Sequence, residues 1–195
     1  LIRGNEKTAL IDTVDPTQEE EFVTNIVRAG CDRIDAIVVN HAEQDHSGSL
    51  PVLLELFPSA QVYCTEKCKD LLAHLLNVPA ERVVVVKTGD KLDLGGISLE
   101  FAEYPWVHWP ETMMTYCPEE KILFSCDLFG SHFATSSLFM DEPCRVEISA
   151  KRYYAEIMMP FRKSITKYIE SVEQMDISII APSHWPLQNN PEWIL

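Results

Sequence analysis

Short apolar runs alternate with amphipathic stretches along this chain of 195 residues. Leu1-Ile2-Arg3, a Gly4-Asn5 turn and Thr8-Ala9-Leu10-Ile11-Asp12 read as a strand hairpin. Thr17-Gln18-Glu19-Glu20 has the form of a capping box, which predicts a helix running to Ala29 and stopping at Gly30. Ile34 to Val39 is apolar apart from Asp35 and reads as a buried strand. Ser49 and Pro51 open a second helix through Leu56, which Pro58 ends. Gln61 to Cys64 is a short strand, and a third helix spans Glu66 to Leu76 with Leu71, Leu72, Leu75 and Leu76 on its apolar face.

Arg82 to Lys87 reads as a strand, and Gly95-Gly96 turns the chain into another. There Ile97, Leu99 and Phe101 alternate with Ser98, Glu100 and Ala102, as on a strand with one buried face. Thr112 to Tyr116 and Ile122 to Ser125 form a hairpin pattern around Pro118-Glu119-Glu120. Ser131 to Cys144 is irregular, helical patterning returns from roughly Ser149, and Pro160 interrupts it before it continues to about Gln174. Ile177 to Ala181 is the last strand. Strands and helices in alternation predict an α/β sandwich, with no internal repeat and no low-complexity linker.

Composition narrows the function classes. The chain is 46% hydrophobic and 24% charged, ordinary for a globular protein. Its 30 acidic against 16 basic residues give a formal charge of −14. So acidic a surface argues against nucleic acid, whose phosphates are held by clustered Lys and Arg, and against an anionic membrane surface. The apolar runs are too short for a transmembrane helix. Six cysteines show no disulfide-framework spacing and read as free thiols of a reducing compartment, so a cytoplasmic location is expected. The chain opens at Leu1 without Met inside a strand-like stretch, so it is expected to be a piece of a longer protein.

The chemistry lies in Asn40-His41-Ala42-Glu43-Gln44-Asp45-His46-Ser47-Gly48, where four metal-ligand side chains fall within six residues. They follow the strand ending at Val39 and so crown the carboxyl end of a sheet, where α/β folds collect their sites. His108, Asp127 and His184 add one candidate each, the latter two just past predicted strand ends. Seven ligands are too many for one tetrahedral ion and suit two ions sharing a carboxylate. Among lesser candidates, His132 and Tyr153 or Tyr154 are read as possible hydrogen-bond donors behind the ligands. Trp106 and Trp109 flank His108, and His74 is a surface or boundary residue of the third helix.

The run His41-x-Glu43-x-Asp45-His46, then His108, Asp127 and His184, resembles the metallo-β-lactamase superfamily. There the first motif usually reads His-x-His-x-Asp-His, and here Glu43 stands second. That change, with Ser47-Gly48-Ser49, His108-Trp109-Pro110 and Ala181-Pro182-Ser183-His184-x-Pro186, resembles the diiron domain of flavodiiron proteins. Gaps of 61, 18 and 56 residues between His46, His108, Asp127 and His184 agree with that pattern. The resemblance implies a metallo-β-lactamase-like αββα sandwich over residues 1–195, lacking its first N-terminal strands, with any flavodoxin-like domain beyond 195. It implies two irons: His41, Glu43 and His108 on one, Asp45 and His184 with His46 on the other, and Asp127 bridging. It also implies FMN on a separate domain or partner, a flavoprotein or rubredoxin electron donor, and a head-to-tail homodimer. Relatives carry Gly after the last ligand, whereas Trp185 stands here, which bears on substrate access.

Replacing an imidazole by Glu43 makes one position richer in oxygen, which suits harder ions and favours ferric iron. Zinc has no redox chemistry. The leading expectation is therefore a reductase taking O2 to water, two NO to N2O, or both, with electrons from a flavin. A diiron module that binds O2 reversibly as a sensor is the second reading, and a binuclear zinc hydrolase the third.

Overall fold

A computed structural model gives the architecture, and it describes residues 1–184 and 186–195. The opening hairpin forms as expected, β1 (Ile2–Arg3) pairing antiparallel with β2 (Thr8–Ile11). Helix α1 covers Glu19–Arg28, and Gly30 beyond it takes φ 64°. Next come β3 (Ala36–Val38), a one-turn helix α2 (Gln44–Ser47), α3 (Leu50–Leu56), β4 (Gln61–Cys64), α4 (Glu66–Leu76) and β5 (Val83–Val85). These strands form one sheet in the order β1-β2-β3-β4-β5, parallel from β2 onward.

The second half builds β6 (Lys91–Asp93), β7 (Ser98–Glu103), β8 (Met113–Cys117) and β9 (Ile122–Cys126). Helices α5 (Pro143–Tyr153) and α6 (Arg162–Val172) follow, then β10 (Ile179–Pro182) and α7 (Pro191–Ile194). This sheet runs β10-β9-β8-β7-β6, antiparallel except for the β10–β9 pair.

Alternation along the strands sorts side chains into layers. Ala9, Ala36 and Val38 of the first sheet meet Leu99, Phe101, Met113 and Cys117 of the second in a shared inner core. The intervening residues Leu10, Ile37, Val39 and Val62 face Ile26, Leu50, Leu53 and Leu72 of the outer helices. On the far side Met114 and Leu123 pack against Tyr153, Met158, Ile165 and Val172. Helices, sheet, sheet, helices: the expected αββα sandwich is the fold.

Several local expectations need correction. The capping box does not form, because Asp15 takes both the Thr17 backbone N–H, at 2.9 Å, and its hydroxyl, at 2.6 Å. Pro16, pre-set for a helical φ, opens a 3-10 turn over Pro16–Gln18, and α1 starts only at Glu19. The metal-ligand segment is not all loop, since Asp45 and His46 sit on α2. Leu75 is 55% exposed and leaves the apolar face of α4 to Cys68 and Leu72, flanked by Leu71 and Leu76. Helix α5 begins at Pro143, not near Ser149, and its buried positions Val146 and Tyr153 are seven residues apart. So sparse a stripe gives almost no periodic signal. The interruption at Pro160 is present as a π turn over Tyr154–Met158 followed by a 3-10 turn over Met159–Phe161.

One buried side chain ties the sheets together at the rim. Asn40 donates Nδ2–H to Asp12 at 3.3 Å and its backbone N–H at 2.7 Å, and its Oδ1 accepts from Thr115 Oγ1 at 2.7 Å. Its carbonyl accepts the Met113 N–H at 2.9 Å. Asn40→Ala removes both side-chain bonds and leaves the buried Thr115 hydroxyl without this acceptor. The expected loss of stability is about 1–3 kcal/mol, read as a lower urea midpoint at unchanged slope. A loss within error of zero would show that Asn40 does not couple the sheets.

Candidate metal centre

Asn40 holds the start of the next segment fixed, and that segment folds back on itself. The Ser47 hydroxyl donates to Ala42 O at 2.7 Å, and His46 O accepts both the N–H and the hydroxyl of Thr13, at 2.7 and 2.9 Å. His41 and Glu43 therefore project from a rigid loop past β3, with Asp45 and His46 on the turn behind it. His108 comes from the connection between β7 and β8, Asp127 from directly after β9, and His184 from directly after β10.

The structure brings all seven together, in two sets. In the first, Glu43 Oε2 lies 3.1 Å from His41 Nε2 and 3.2 Å from His108 Nε2. Asp127 Oδ2 lies 3.5 and 3.3 Å from the same two nitrogens. In the second, Asp127 Oδ1 lies 3.0 Å from His46 Nε2 and 3.1 Å from His184 Nε2. Asp45 Oδ2 lies 3.6 and 3.4 Å from that pair. Each set thus holds two imidazoles, one carboxylate of its own, and one oxygen of Asp127.

These spacings are edges of a coordination shell. Donors about 2.1 Å from one ion stand about 3.0 Å apart in an octahedron and about 3.4 Å apart in a tetrahedron. Hydrogen bonding accounts for only one of them, His41 Nε2 with Glu43 Oε2. Asp127 is 1% exposed, and neither of its oxygens has a hydrogen-bond partner; Asp45 Oδ1 is also buried and unpartnered. Imidazoles stand close to Asp127 without donating along a hydrogen-bond line, so the contacts are electrostatic. The donor set fits two cations.

Protonation of the bare cluster points the same way. Burial pulls His41 down, but Glu111, Glu43 and Asp127 outweigh it and raise its pKa to about 9. His46 rises well above its ordinary value, against burial, under Cys126, Asp12 and Asp127. Burial would push the Asp127 carboxyl up, yet His108, His184 and His46 hold it well below the carboxylate range. The pocket attracts positive charge, and protons take up part of that role where an ion would take all of it.

Of the lesser candidates, His132 packs edge-on against His184, with ring centroids 4.4 Å apart, and against Tyr153 at 4.6 Å. Burial and His184 lower its pKa. Tyr153 is buried, its ring 5.4 Å from that of His184, and burial pushes its phenol far up. Successive helical residues point about 100° apart, and Tyr154 is 38% exposed and lines, with Tyr153, a neighbouring groove of 510 Å³. Trp109 stands edge-on to His41 at 5.1 Å, whereas Trp106 is exposed and stacks on Phe161. His74 is exposed on α4 and donates Nδ1–H to the Asp70 carbonyl, one turn back, at 2.6 Å. Trp185 lies outside the described residues.

Sequence reasoning missed the layer behind the ligands. Glu111 Oε1 sits 2.7 Å from His41 Nδ1, and Cys126 Sγ and Asp12 Oδ2 each lie 3.8 Å from His46 Nδ1. Glu111, three residues past His108, was the detectable one. Backbone strain also collects here. Among the described residues seven non-glycine positions take positive φ, and five of them (Asp12, Trp106, Cys126, Phe129, His132) adjoin the centre.

The sandwich with this cluster on its rim defines the metallo-β-lactamase-like class. A family profile described as ODP family beta lactamase matches residues 1–185, and the chain belongs to that family. It is 41% identical over 204 residues to an anaerobic nitric oxide reductase flavorubredoxin of Vibrio vulnificus, a match spanning 100% of this chain and 41% of that one. It superposes with TM-score 0.90 and 34% identity on the flavodiiron protein from Giardia intestinalis, over 95% of this chain and 47% of the other. A rubredoxin oxygen:oxidoreductase from Desulfovibrio gigas gives TM-score 0.90 at 30% identity, over 97% and 48%. The chain therefore spans less than half the length of these relatives.

Gly130 supplies a test of the packing around the cluster. A Cβ there would stand 3.0 Å from Asp127 O and 3.1 Å from both His184 Cβ and Tyr153 Cε1. Gly130→Ala is expected to cost about 1–3 kcal/mol through overpacking and to weaken metal retention against a chelator. Unchanged stability and retention would mean the segment yields freely.

Proposed function

We propose that this chain is the diiron domain of a nitric oxide and oxygen reductase, with NO as the favoured substrate. The observation that carries the reading is Asp127, a buried carboxylate whose two unpartnered oxygens each face a separate set of two imidazoles and a carboxylate. Under this reading His41, Glu43 and His108 would hold one iron, Asp45, His46 and His184 would hold the other, and Asp127 would offer one oxygen to each. The relative named as a nitric oxide reductase at 41% identity supports NO, and the oxygen:oxidoreductase at 30% supports O2 as a second substrate.

When bound, two irons supply one electron each, enough to take two NO and two protons to N2O and water, while O2 needs four electrons to reach water. The chain's residues hold the donors rigid through Asn40, Ser47 and Thr13, and Trp109, Tyr153 and His132 wall the centre with rings. One carboxylate per position plus a shared one suits iron better than an imidazole-only set, and a redox role requires a metal other than zinc.

Electrons must arrive from a carrier, because side chains do not supply them routinely. The names flavorubredoxin and rubredoxin oxygen:oxidoreductase support FMN on a flavodoxin-like domain beyond residue 195, fed by a rubredoxin-type donor. A head-to-tail homodimer would bring a partner's flavin to this centre. No helix among the described residues is long and apolar enough to cross a membrane, and all six cysteines are free thiols; both fit a cytoplasmic enzyme.

Iron-replete expression should yield close to two irons per chain by elemental analysis. Asp127→Asn should deplete both positions, whereas His41→Ala should empty mainly one. Two tightly held zincs with hydrolase activity would defeat the reading. In the full-length protein, NO-dependent oxidation of the reduced donor should fall by at least about 100-fold in Asp127→Asn, a loss of about 2.7 kcal/mol of transition-state stabilisation.

A further inference from the structure

By ligand count the two positions are matched: two imidazoles, one carboxylate and one oxygen of Asp127 each. What stands behind the imidazoles is not matched. Glu111 is 2% exposed, and its Oε1 takes the Ala42 N–H at 3.2 Å and meets His41 Nδ1 at 2.7 Å. A carboxylate oxygen only accepts, so His41 Nδ1 carries a hydrogen, which leaves Nε2, between Glu43 and Asp127, as the nitrogen that would take an ion. The other Glu111 oxygen, Oε2, is buried with no hydrogen-bond partner, so the negative charge is not dispersed to other donors.

Behind His46 the arrangement is weaker. Its Nδ1 faces the Cys126 thiol at 3.8 Å and Asp12 Oδ2 at 3.8 Å, beyond oxygen hydrogen-bond range. Asp12 already accepts from Asn40 with both oxygens. A charged acceptor at short range makes an imidazole a stronger donor and locks its orientation. A thiol and a distant, already engaged carboxylate do so far less.

Resting on the diiron reading above, we propose that Glu111 is a positioning residue that makes the His41–Glu43–His108 position the more electron-rich of the two. The ion held there keeps its ferric form at the more negative potential, so the pair is electronically unequal despite its matched ligands. Glu111 touches no substrate and acts only through His41.

The test uses the full-length protein loaded with iron, comparing wild type, Glu111→Gln and Glu111→Asp. Glutamine keeps the shape and an acceptor for His41 while removing the charge. Potentiometric titration followed by electron paramagnetic resonance of the mixed-valent state should show two separated one-electron steps in wild type. In Glu111→Gln, ferric preference at one position should fall at least tenfold, a positive shift of about 59 mV in that step alone. One of the two metals should also yield to chelator about 10–100-fold more readily. Glu111→Asp, which keeps the charge one methylene further back, should lie between; it also carries the test if the glutamine variant fails to fold. Two irons with both steps unchanged, or both shifted equally, overturn the role of Glu111 and leave the diiron reading standing. A wild type that cannot hold two irons overturns the diiron reading, and this inference with it.

Discussion

The structure turns on the carboxylate of Asp127, buried on the rim between two sheets with no hydrogen bond to either oxygen. An ionised carboxylate in such a place costs several kcal/mol unless charge of the opposite sign meets it. Four imidazoles approach it, two per oxygen, at 3.0 to 3.5 Å. In the bare cluster His41 rises to about 9 against burial, under Glu111 and Glu43 first and Asp127 after them. With an ion on each oxygen the imidazoles become neutral donors and the carboxylate is paid in full. His41, Glu43, Asp45 and His46 follow the first sheet, while His108, Asp127 and His184 follow strands of the second. Ions held here would therefore cross-link the halves of the sandwich, and their binding energy would be folding energy.

That constraint explains features of the scaffold with no role in packing. A rim that must hold seven donors to within tenths of an ångström cannot be an ordinary surface loop. Accordingly Asn40 is shared between Asp12 and Thr115, and Ser47 and Thr13 bond the backbone around the donors. Left-handed residues such as Cys126 and Phe129 flank Asp127, where the chain must turn sharply to keep the carboxylate inside. The apolar layers stabilise the sandwich as a whole, and these polar bonds and strained residues fix where its rim points.

The legible parts of the sequence were those with a period or a ligand identity. Leu99 and Phe101 alternating with Ser98 and Glu100 predicted β7, and Glu66 to Leu76 gave α4 to the residue. The His and Asp positions were legible because four such side chains within six residues have no packing explanation. Residues acting at one remove were not. Asp12, Glu111 and Cys126 each look like an isolated polar or thiol residue, and only the tertiary fold brings them to a ring nitrogen. The start of α5 was hidden for a different reason: this helix lies on the surface with two buried positions, so packing and Pro143 define it, not amphipathicity.

Charge counting connects the site to the kind of molecule it would admit. Glu43, Asp45, Asp127 and Glu111 contribute four negative charges within the ligand cluster and the layer behind it. Two divalent ions would contribute four positive charges and balance these four. Asp12, its Oδ2 3.8 Å from His46 Nδ1, would leave one negative charge over. A partly buried centre without excess positive charge attracts no anion from a distance, and this chain carries a formal charge of −14 that repels one further. A hydrolase for phosphorylated or carboxylated substrates would gain from the opposite balance. An uncharged molecule sheds little hydration on entry and is not repelled. The same balance that lets Asp127 be buried therefore favours an uncharged molecule over an anion at this rim.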